Sequence, residues 1–472
     1  MFNEARRMNS AVLQALVVAG VGAVVALLVG NTPPLLAVGA VLGLLTLALF
    51  LQRPDYALLG VLLVRASSDL SVVLQRTTGL GILQSGSSNV VLIGMLVVAG
   101  GLFILARGVP LLGLPAGRLM LLLLFIGLLA AYRSDSRLLS VSEWVPVLAG
   151  FIAYSLAAYL FRTPRAIRTV LDVIAASFVL PAAVGFYQLI RHEGVVVAAF
   201  ERPRVTGTFV HPNPFGFYLV IMLALFVSQA LVQQGRRRIV AFLGSCAAGV
   251  LLLATFTRIA WAGALIVILI IAFYRSRLLL LAVPVLGLLA VLMIPPLAER
   301  LADPLGGSLA DRFTRLWPAT IGAWLAATGS EPTLLSVAVS RLTGLGPGMG
   351  LLLAERGGYF RFSPAHNDYL RVLVDYGVFG LLMFVASSIV MVVFAYRTLH
   401  GARATDPFLA SVALMFLSLS LAFPIMSFTD NVFGYTANQL YFWALAGLTV
   451  GVHHLAHSDA RESRPQKAFL SS

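Results

Sequence analysis

The sequence predicts an all-α, polytopic transmembrane helix bundle of about 12 to 14 spans, with both termini cytoplasmic and one long loop on the outer face that carries short helices. Three observations predict it. Charged residues make up 11% of the chain against 59% hydrophobic ones, where soluble domains carry roughly 25% charge. Apolar runs of spanning or near-spanning length recur from one end to the other. Arginines alternate between connections as they do when cytoplasmic loops collect them. The net charge of +14 is first explained by the cytoplasmic loops, and no nucleic-acid partner is expected. A single cysteine, Cys246, leaves no internal disulfide and no thiolate cluster.

In chain order, the first apolar run, 11 to 29, follows "MFNEARRMN" with no small-x-small cleavage site after it, and reads as a retained anchor. Further runs lie at 35 to 51, 56 to 74, 90 to 106, 117 to 132, 144 to 161, 168 to 190, 213 to 232, 239 to 256, 259 to 274, 278 to 294, 367 to 396, 408 to 426 and 437 to 454. With the N-terminus inside, the inner connections carry Arg53, Arg107 with Arg118, Arg162 with Arg165 and Arg168, Arg236 to Arg238, Arg275 with Arg277, and Arg397 with Arg403. Arg461, Arg464 and Lys467, the only lysine, fall on the same side. The chain thus divides into a bundle over 1 to 294, an outer loop over 295 to 365, C-terminal transmembrane helices over 366 to 455 and a cytoplasmic tail over 456 to 472. Loops as long as 295 to 365 are uncommon without a job, so this one is expected to bear the edge of a site.

Ionisable residues at the outer ends of apolar helices mark where that site lies. Arg191 ends a long apolar helix in "GFYQLIRHEG", and Arg258 sits in the outer hairpin "LLLATFTRIAWAGALIV" with no acidic residue within ten positions on either side. Arginine at membrane depth is costly and marks function by default. Snorkelling to the interface is the alternative; anion binding is preferred, because guanidinium is the natural fork for phosphate oxygens. Further outer arginines, Arg202, Arg204, Arg356 and Arg361, have acids such as Glu201 and Glu355 nearby.

The stretch "RFSPAHNDYLRVLVDYGVFG", 361 to 380, reads as a helix start with Ser363 as N-cap, Pro364 in the first helical position and His366 in the first turn. Asp368, Arg371 and Asp375 share one face at i, i+3 and i+4 spacings and are expected to neutralise one another. His366 points away from them, and the helix N-terminus disfavours an imidazolium there, which leaves a histidine able to accept a proton. A purely structural histidine is the alternative. "TFVHPNPFGFYL" places His211 and Asn213 where an outer loop enters a helix and reads as a capped turn; Arg65 and Asp69 read as a self-neutralising i, i+4 pair. "GLGPGMG", 344 to 350, lacks both the spacing and the strand–turn–helix context of a dinucleotide loop, and is read as a turn. No sequence pattern of a metal site or organic cofactor is found, so no cofactor is expected.

"RLTGLGPGMG", "SPAHNDYLRVLVDYGVFGLLMF", "TGTFVHPNPFGFYL" and "TRIAWAGAL" together resemble the superfamily of bacterial O-antigen ligases and polymerases, most densely over 200 to 385. The resemblance implies an inner-membrane glycosyltransferase whose active site faces the periplasm and whose donor is a glycan on polyprenyl (undecaprenyl) diphosphate. For a ligase it implies lipid A core, of lipopolysaccharide, as acceptor. It further implies that His366 is the general base and that Arg191 and Arg258 contact the diphosphate. Arg204, His211, Asn213, Arg361, Asn367 and Tyr369 are the additional candidate substrate contacts. Members of that superfamily commonly have about twelve spans, which implies re-entrant or interfacial helices among the runs above. Polymerisation, and transfer of the glycan to protein, stay open within this chemistry. A transporter of lipid-linked anionic glycans is the reading from a different class; it predicts charges near mid-membrane on several helices, whereas here they gather at the outer ends.

Overall fold

A computed structural model describes residues 48, 52–70, 87–197, 200–293, 295–302, 308–326, 333–356 and 365–462. The runs at 11 to 29 and, but for one residue, 35 to 51 lie outside the described residues, as do Ser363, Pro364 and Arg361 and the side chains of Arg202 and Arg356. Every apolar run from 56 onward has a helix under it. These are α1 (Pro54–Arg65), α2 (Ser87–Arg107), α3 (Gly117–Arg133), α4 (Arg137–Leu160), α5 (Pro164–Ser177), α6 (Val179–Arg191), α7 (Pro212–Ala230), α8 (Gly235–Ala254), α9 (Arg258–Arg275) and α10 (Arg277–Met293). After the outer segment come α16 (Asp368–Arg403), α17 (Pro407–Met426) and α18 (Thr436–Glu462). The 295 to 356 segment carries short helices, α11 (Pro295–Ala302), α12 (Ser308–Asp311), α13 (Trp317–Ala326), α14 (Leu334–Thr343) and α15 (Met349–Arg356), with a π-helical turn at Arg312–Leu316. To the all-helical expectation the structure adds one antiparallel hairpin, β1 (Val195–Val197) with β2 (Phe200–Arg204).

Local sequence sets several of the boundaries. α1, α5, α7 and α17 each open with proline, whose missing N–H is no loss in the first turn. Thr163, His211 and Asp406 cap α5, α7 and α17 by accepting from first-turn N–H groups. The 168 to 190 run is broken near Phe178, where the ring of Pro181 cannot continue the hydrogen-bond ladder of α5.

Among the described residues, seven helical stretches are long and apolar enough to cross a membrane, which makes this a helical membrane protein. Their enclosure differs sharply. The apolar windows of α7 and α17 are 83% buried within the protein, against 22% for those of α8 and α16. A helix apolar on all sides and buried on all sides is a bundle core, so α7 and α17 form the axis around which the other helices pack. They touch each other and run in opposite senses, since Asn213 at the start of α7 reaches Asp430 just beyond α17 while Gln229 near the end of α7 reaches Ser411 at the start of α17.

α16 differs from its sequence reading in two ways. Its N-cap is Asn367, whose side chain accepts from the Leu370 N–H, and His366 precedes the helix with φ 49°. The helix also kinks at Gly377 (φ 70°, ψ −171°), which separates the charged segment Asp368–Tyr376 from the apolar remainder. Only glycine serves there, since a Cβ would lie 2.5 Å from the Leu342 carbonyl. "GLGPGMG" is the partner of this kink. Gly348 and Gly350 N–H donate to the two oxygens of Asp375, each at 2.9 Å, while Leu345 and Gly346 N–H donate to the Val374 and Asp375 carbonyls.

The expected neutralisation along α16 is therefore divided. Arg371 lies 3.9 Å from Asp375. Asp368 instead accepts from the Ser427 hydroxyl and the Phe433 N–H, each at 2.8 Å. Arg65 and Asp69 do pair, at 3.3 Å, with Ser68 as a further acceptor for the guanidinium.

Candidate functional site

Five polar segments that are far apart in sequence meet at the end of the bundle where α7 begins and α17 ends. The 366–368 segment is zipped to the turn after α17: Asp368 N–H donates to the Ser427 carbonyl at 2.9 Å and Asn367 N–H to Asn431 Oδ1 at 3.0 Å. This fixes His366 in a left-handed conformation that non-glycine residues seldom adopt and that clusters at functional positions. Its Nδ1 lies 3.3 Å from Asp430 Oδ1; Asp430 is 1% exposed and His366 24% exposed. Asp430 is further held by Asn213 Nδ2, 2.6 Å from Oδ2, and by the Asn431 N–H at 2.8 Å.

Asn213 can aim its amide at Asp430 because its oxygen is already engaged. Arg204 Nη2 and the Thr257 hydroxyl both donate to Asn213 Oδ1, at 3.1 and 3.4 Å. Arg204 is in turn anchored by Thr255, whose carbonyl accepts from Nε at 2.7 Å, and by Thr257, whose hydroxyl accepts from Nη2 at 2.8 Å. Arg204 is thus a buried strut, 5% exposed, and not an exposed group awaiting substrate.

The remaining predicted residues fall into place around this core. His211, the cap of α7, accepts the Asn213 N–H at Nδ1, 3.2 Å away. Asn367 is spent on capping α16, and Tyr369 donates its hydroxyl to the Pro424 carbonyl at 2.9 Å. Arg258 opens α9 directly after Thr257 and acts electrostatically on Arg312. Arg191 is 65% exposed and lies 3.8 Å from Glu193.

Two residues of the cluster escaped sequence reasoning. Asp430 lies in "SFTDNVFG", at the end of an apolar helix on the same face as His366, and a carboxylate at that depth was signal enough. Arg312, in the π-helical turn, donates to the Thr429 carbonyl beside Asp430; nothing in the loop sequence distinguishes it from Arg315.

The electrostatics follow from burial and neighbours. Burial pushes the Asp430 carboxyl up, but the His366 hydrogen bond and the Arg312 charge outweigh it and hold Asp430 below the ordinary carboxylate range. An ionised Asp430 can only accept, so the hydrogen bond is donated by His366 Nδ1–H, and the other ring nitrogen, Nε2, is turned away from Asp430. Burial lowers Arg312, against the pull of Asp430, and Arg258 adds to the lowering. Arg312 thus acts on Asp430 and Arg258 on Arg312, while Asp430 also acts on the buried Asp368. Among the described residues, no group of three or more His, Cys, Asp or Glu side chains is arranged to hold a metal ion.

His211 supplies a pH test of this arrangement. Burial, reinforced by Arg204 and opposed by Asp430, brings its pKa down from 6.5 to about 4. Between those values the unfolded chain binds a proton that the folded protein refuses. The stability gained from neutral His211 is thus complete above pH 6.5 and is lost as pH falls towards 4. Thermal midpoints of the detergent-purified protein are expected to fall across this window, and less so in His211→Asn, which keeps a capping oxygen but cannot titrate. Identical slopes in both proteins would remove His211 from the buried network.

Compared with known families and with curated proteins, the chain matches no family model and no curated protein.

Proposed function

We propose that this chain is an O-antigen ligase, an inverting glycosyltransferase of the bacterial inner membrane with its site on the periplasmic face. It transfers a glycan from polyprenyl diphosphate to a sugar hydroxyl of lipid A core. The observation that carries this reading is the His366–Asp430 pair beside Arg258 and Arg312, at one end of the bundle. A base that is oriented by a buried carboxylate and adjoins a cationic patch suits attack by a hydroxyl on an anionic, phosphate-activated donor.

In this mechanism the acceptor oxygen forms a bond to the anomeric carbon as the bond from that carbon to the diphosphate oxygen breaks. The hydroxyl proton passes to His366 Nε2, and the resulting imidazolium is stabilised by Asp430 at Nδ1. The electron pair of the broken bond leaves on the diphosphate, where Arg258 and Arg312 balance the growing charge. Direct displacement inverts the anomeric centre. Arg312 takes the place that sequence reasoning gave to Arg191. Arg204 and Asn213 act at one remove by fixing Asp430. The transporter reading is less well supported, because this machinery sits at the end of the central helices and not at their middle.

Arg258→Ala and Arg312→Ala are each expected to weaken binding of a diphosphate-linked lipid by about tenfold or more, the worth of a charge-assisted hydrogen bond. Lysine at 258 should restore only part, since it lacks the planar fork, and Arg191→Ala should bind normally. Normal binding by both Arg258→Ala and Arg312→Ala would leave the donor site elsewhere. The decisive experiment for the reaction is a null strain, expected to accumulate lipid-linked polymer of normal length and lipid A core without a polymer cap. Core capped by a single repeat unit would identify a polymerase instead.

A further inference from the structure

A second arginine cluster lies at the opposite end of the central helix. From Asn213 in the His366 site to Gln229 near the C-terminus of α7 is roughly 24 Å of helix, close to the depth of a bilayer core. There the ends of α5, α7 and α8 enclose a cavity of about 240 Å³ whose polar wall is Arg168, Asp172, Gln229, Gln233, Arg236 and Arg237. Its other wall is apolar, with Leu171, Phe226 and Val240 among the lining residues.

The polar wall is held in place. Gln229 Nε2 reaches Ser411 Oγ at 3.5 Å, Gln233 Nε2 donates to Gln229 Oε1 at 2.9 Å, and Arg168 Nη1 donates to Gln233 Oε1 at 3.4 Å. The guanidinium of Arg168 stacks over the Phe408 ring, 4.3 Å from its centroid. A ladder of side chains thus ends in a positioned cation. Arg237 reaches Asp172 at 3.3 Å, so one of three positive charges is locally answered and two are in excess. Arg236 and Arg237 also belong to the first turn of α8, whose N-cap Gln234 contributes no side-chain cap, so unsatisfied N–H groups add to the positive field at this end of the cavity.

We propose that this cavity binds a phosphate group, as the phosphodiester of an anionic phospholipid in the leaflet opposite the His366 site. Guanidinium forks suit phosphate oxygens, the excess charge suits a mono- or dianion, and the apolar wall beside the cation cluster suits the glycerol and first acyl carbons. Basic pockets between membrane helices are a recurrent way of holding such headgroups. The site is independent of the glycosyl-transfer reading, since none of its residues belongs to the His366 network.

The test uses the full chain purified in a neutral detergent, with native mass spectrometry and thermal unfolding as readouts and phosphatidylglycerol, phosphatidylcholine and inorganic phosphate as probes. Phosphatidylglycerol is expected to be retained and to raise the unfolding midpoint, and phosphatidylcholine to do neither. Replacing Arg168, Arg236 and Arg237 together by glutamine should weaken phosphatidylglycerol binding at least about tenfold. Asp172→Asn, which removes the opposing charge without touching the arginines, should tighten it severalfold. Protection by inorganic phosphate as strong as that by the lipid would assign the same site to a soluble phosphate. Equal retention of the two lipids, or phosphatidylglycerol retention unchanged in both variants, overturns the proposal.

Discussion

His366→Ala is expected to abolish glycosyl transfer while leaving membrane insertion, the unfolding midpoint and donor binding close to normal. The side chain is partly exposed and makes one hydrogen bond, to Asp430, so little packing is lost; the proton acceptor for the attacking hydroxyl is lost entirely. General-base assistance contributes about 10²- to 10⁴-fold, and a loss in that range with retained donor binding is the expected signature. Asp430→Asn should approach the same loss by a different route. An amide at 430 keeps the shape but no longer demands a proton on Nδ1, and it no longer stabilises an imidazolium. It also disturbs Asn213, which donates to Asp430 at 2.6 Å. Rates of the purified variants on a polyprenyl-diphosphate glycan, compared with donor affinity, separate these effects. Near-normal turnover by His366→Ala removes it as the base.

Asp375→Asn is expected to destabilise the protein by about 3–5 kcal/mol, the usual consequence of breaking a buried ion pair by removing one partner. The carboxylate is 1% exposed, lies 3.9 Å from Arg371, and accepts the N–H groups of Gly348 and Gly350 on separate oxygens. An amide must turn its NH₂ towards one of these donors, so the near-isosteric change sets donor against donor and removes one of the carboxylates that balance Arg371, leaving Asp368 and Glu143. The seam between α16 and the 344–350 turn should open, with a lower unfolding midpoint in detergent and new protease cleavage near that turn. An Asp375→Asn protein with a normal midpoint would mean that the glycine turn is held by its backbone contacts to Val374 and Asp375 alone.

These two aspartates show how unevenly the molecule could be read from its sequence. Asp375 was visible as one member of an i, i+3, i+4 set, and its burial with Arg371 follows from that spacing. Its second duty, fastening "GLGPGMG", was not visible, because a carboxylate can be satisfied by backbone N–H groups from any segment the fold brings near. The same holds for Asn367. A helix start near 365 was legible, but its cap was expected at Ser363, since proline at 364 and a serine before it form a complete local signal. The zipper to the 427–431 turn selects Asn367 instead.

Membrane character and the order of the apolar helices were determined by the sequence itself, because hydropathy, helix length and local capping depend on neighbours a few residues apart. What only the tertiary structure decided is which polar groups share a volume. Asp430 lies 64 residues from His366 and Asn213 217 residues from Asp430. Arg204 became a buried strut, Arg191 was left at the surface, and Arg312 came to lie beside the carboxylate. In a bundle whose central helices are apolar on every face, each buried polar group must find its partner across the packing, since lipid offers none. That search is settled by the way helix ends meet in space, and one-dimensional spacing does not contain it.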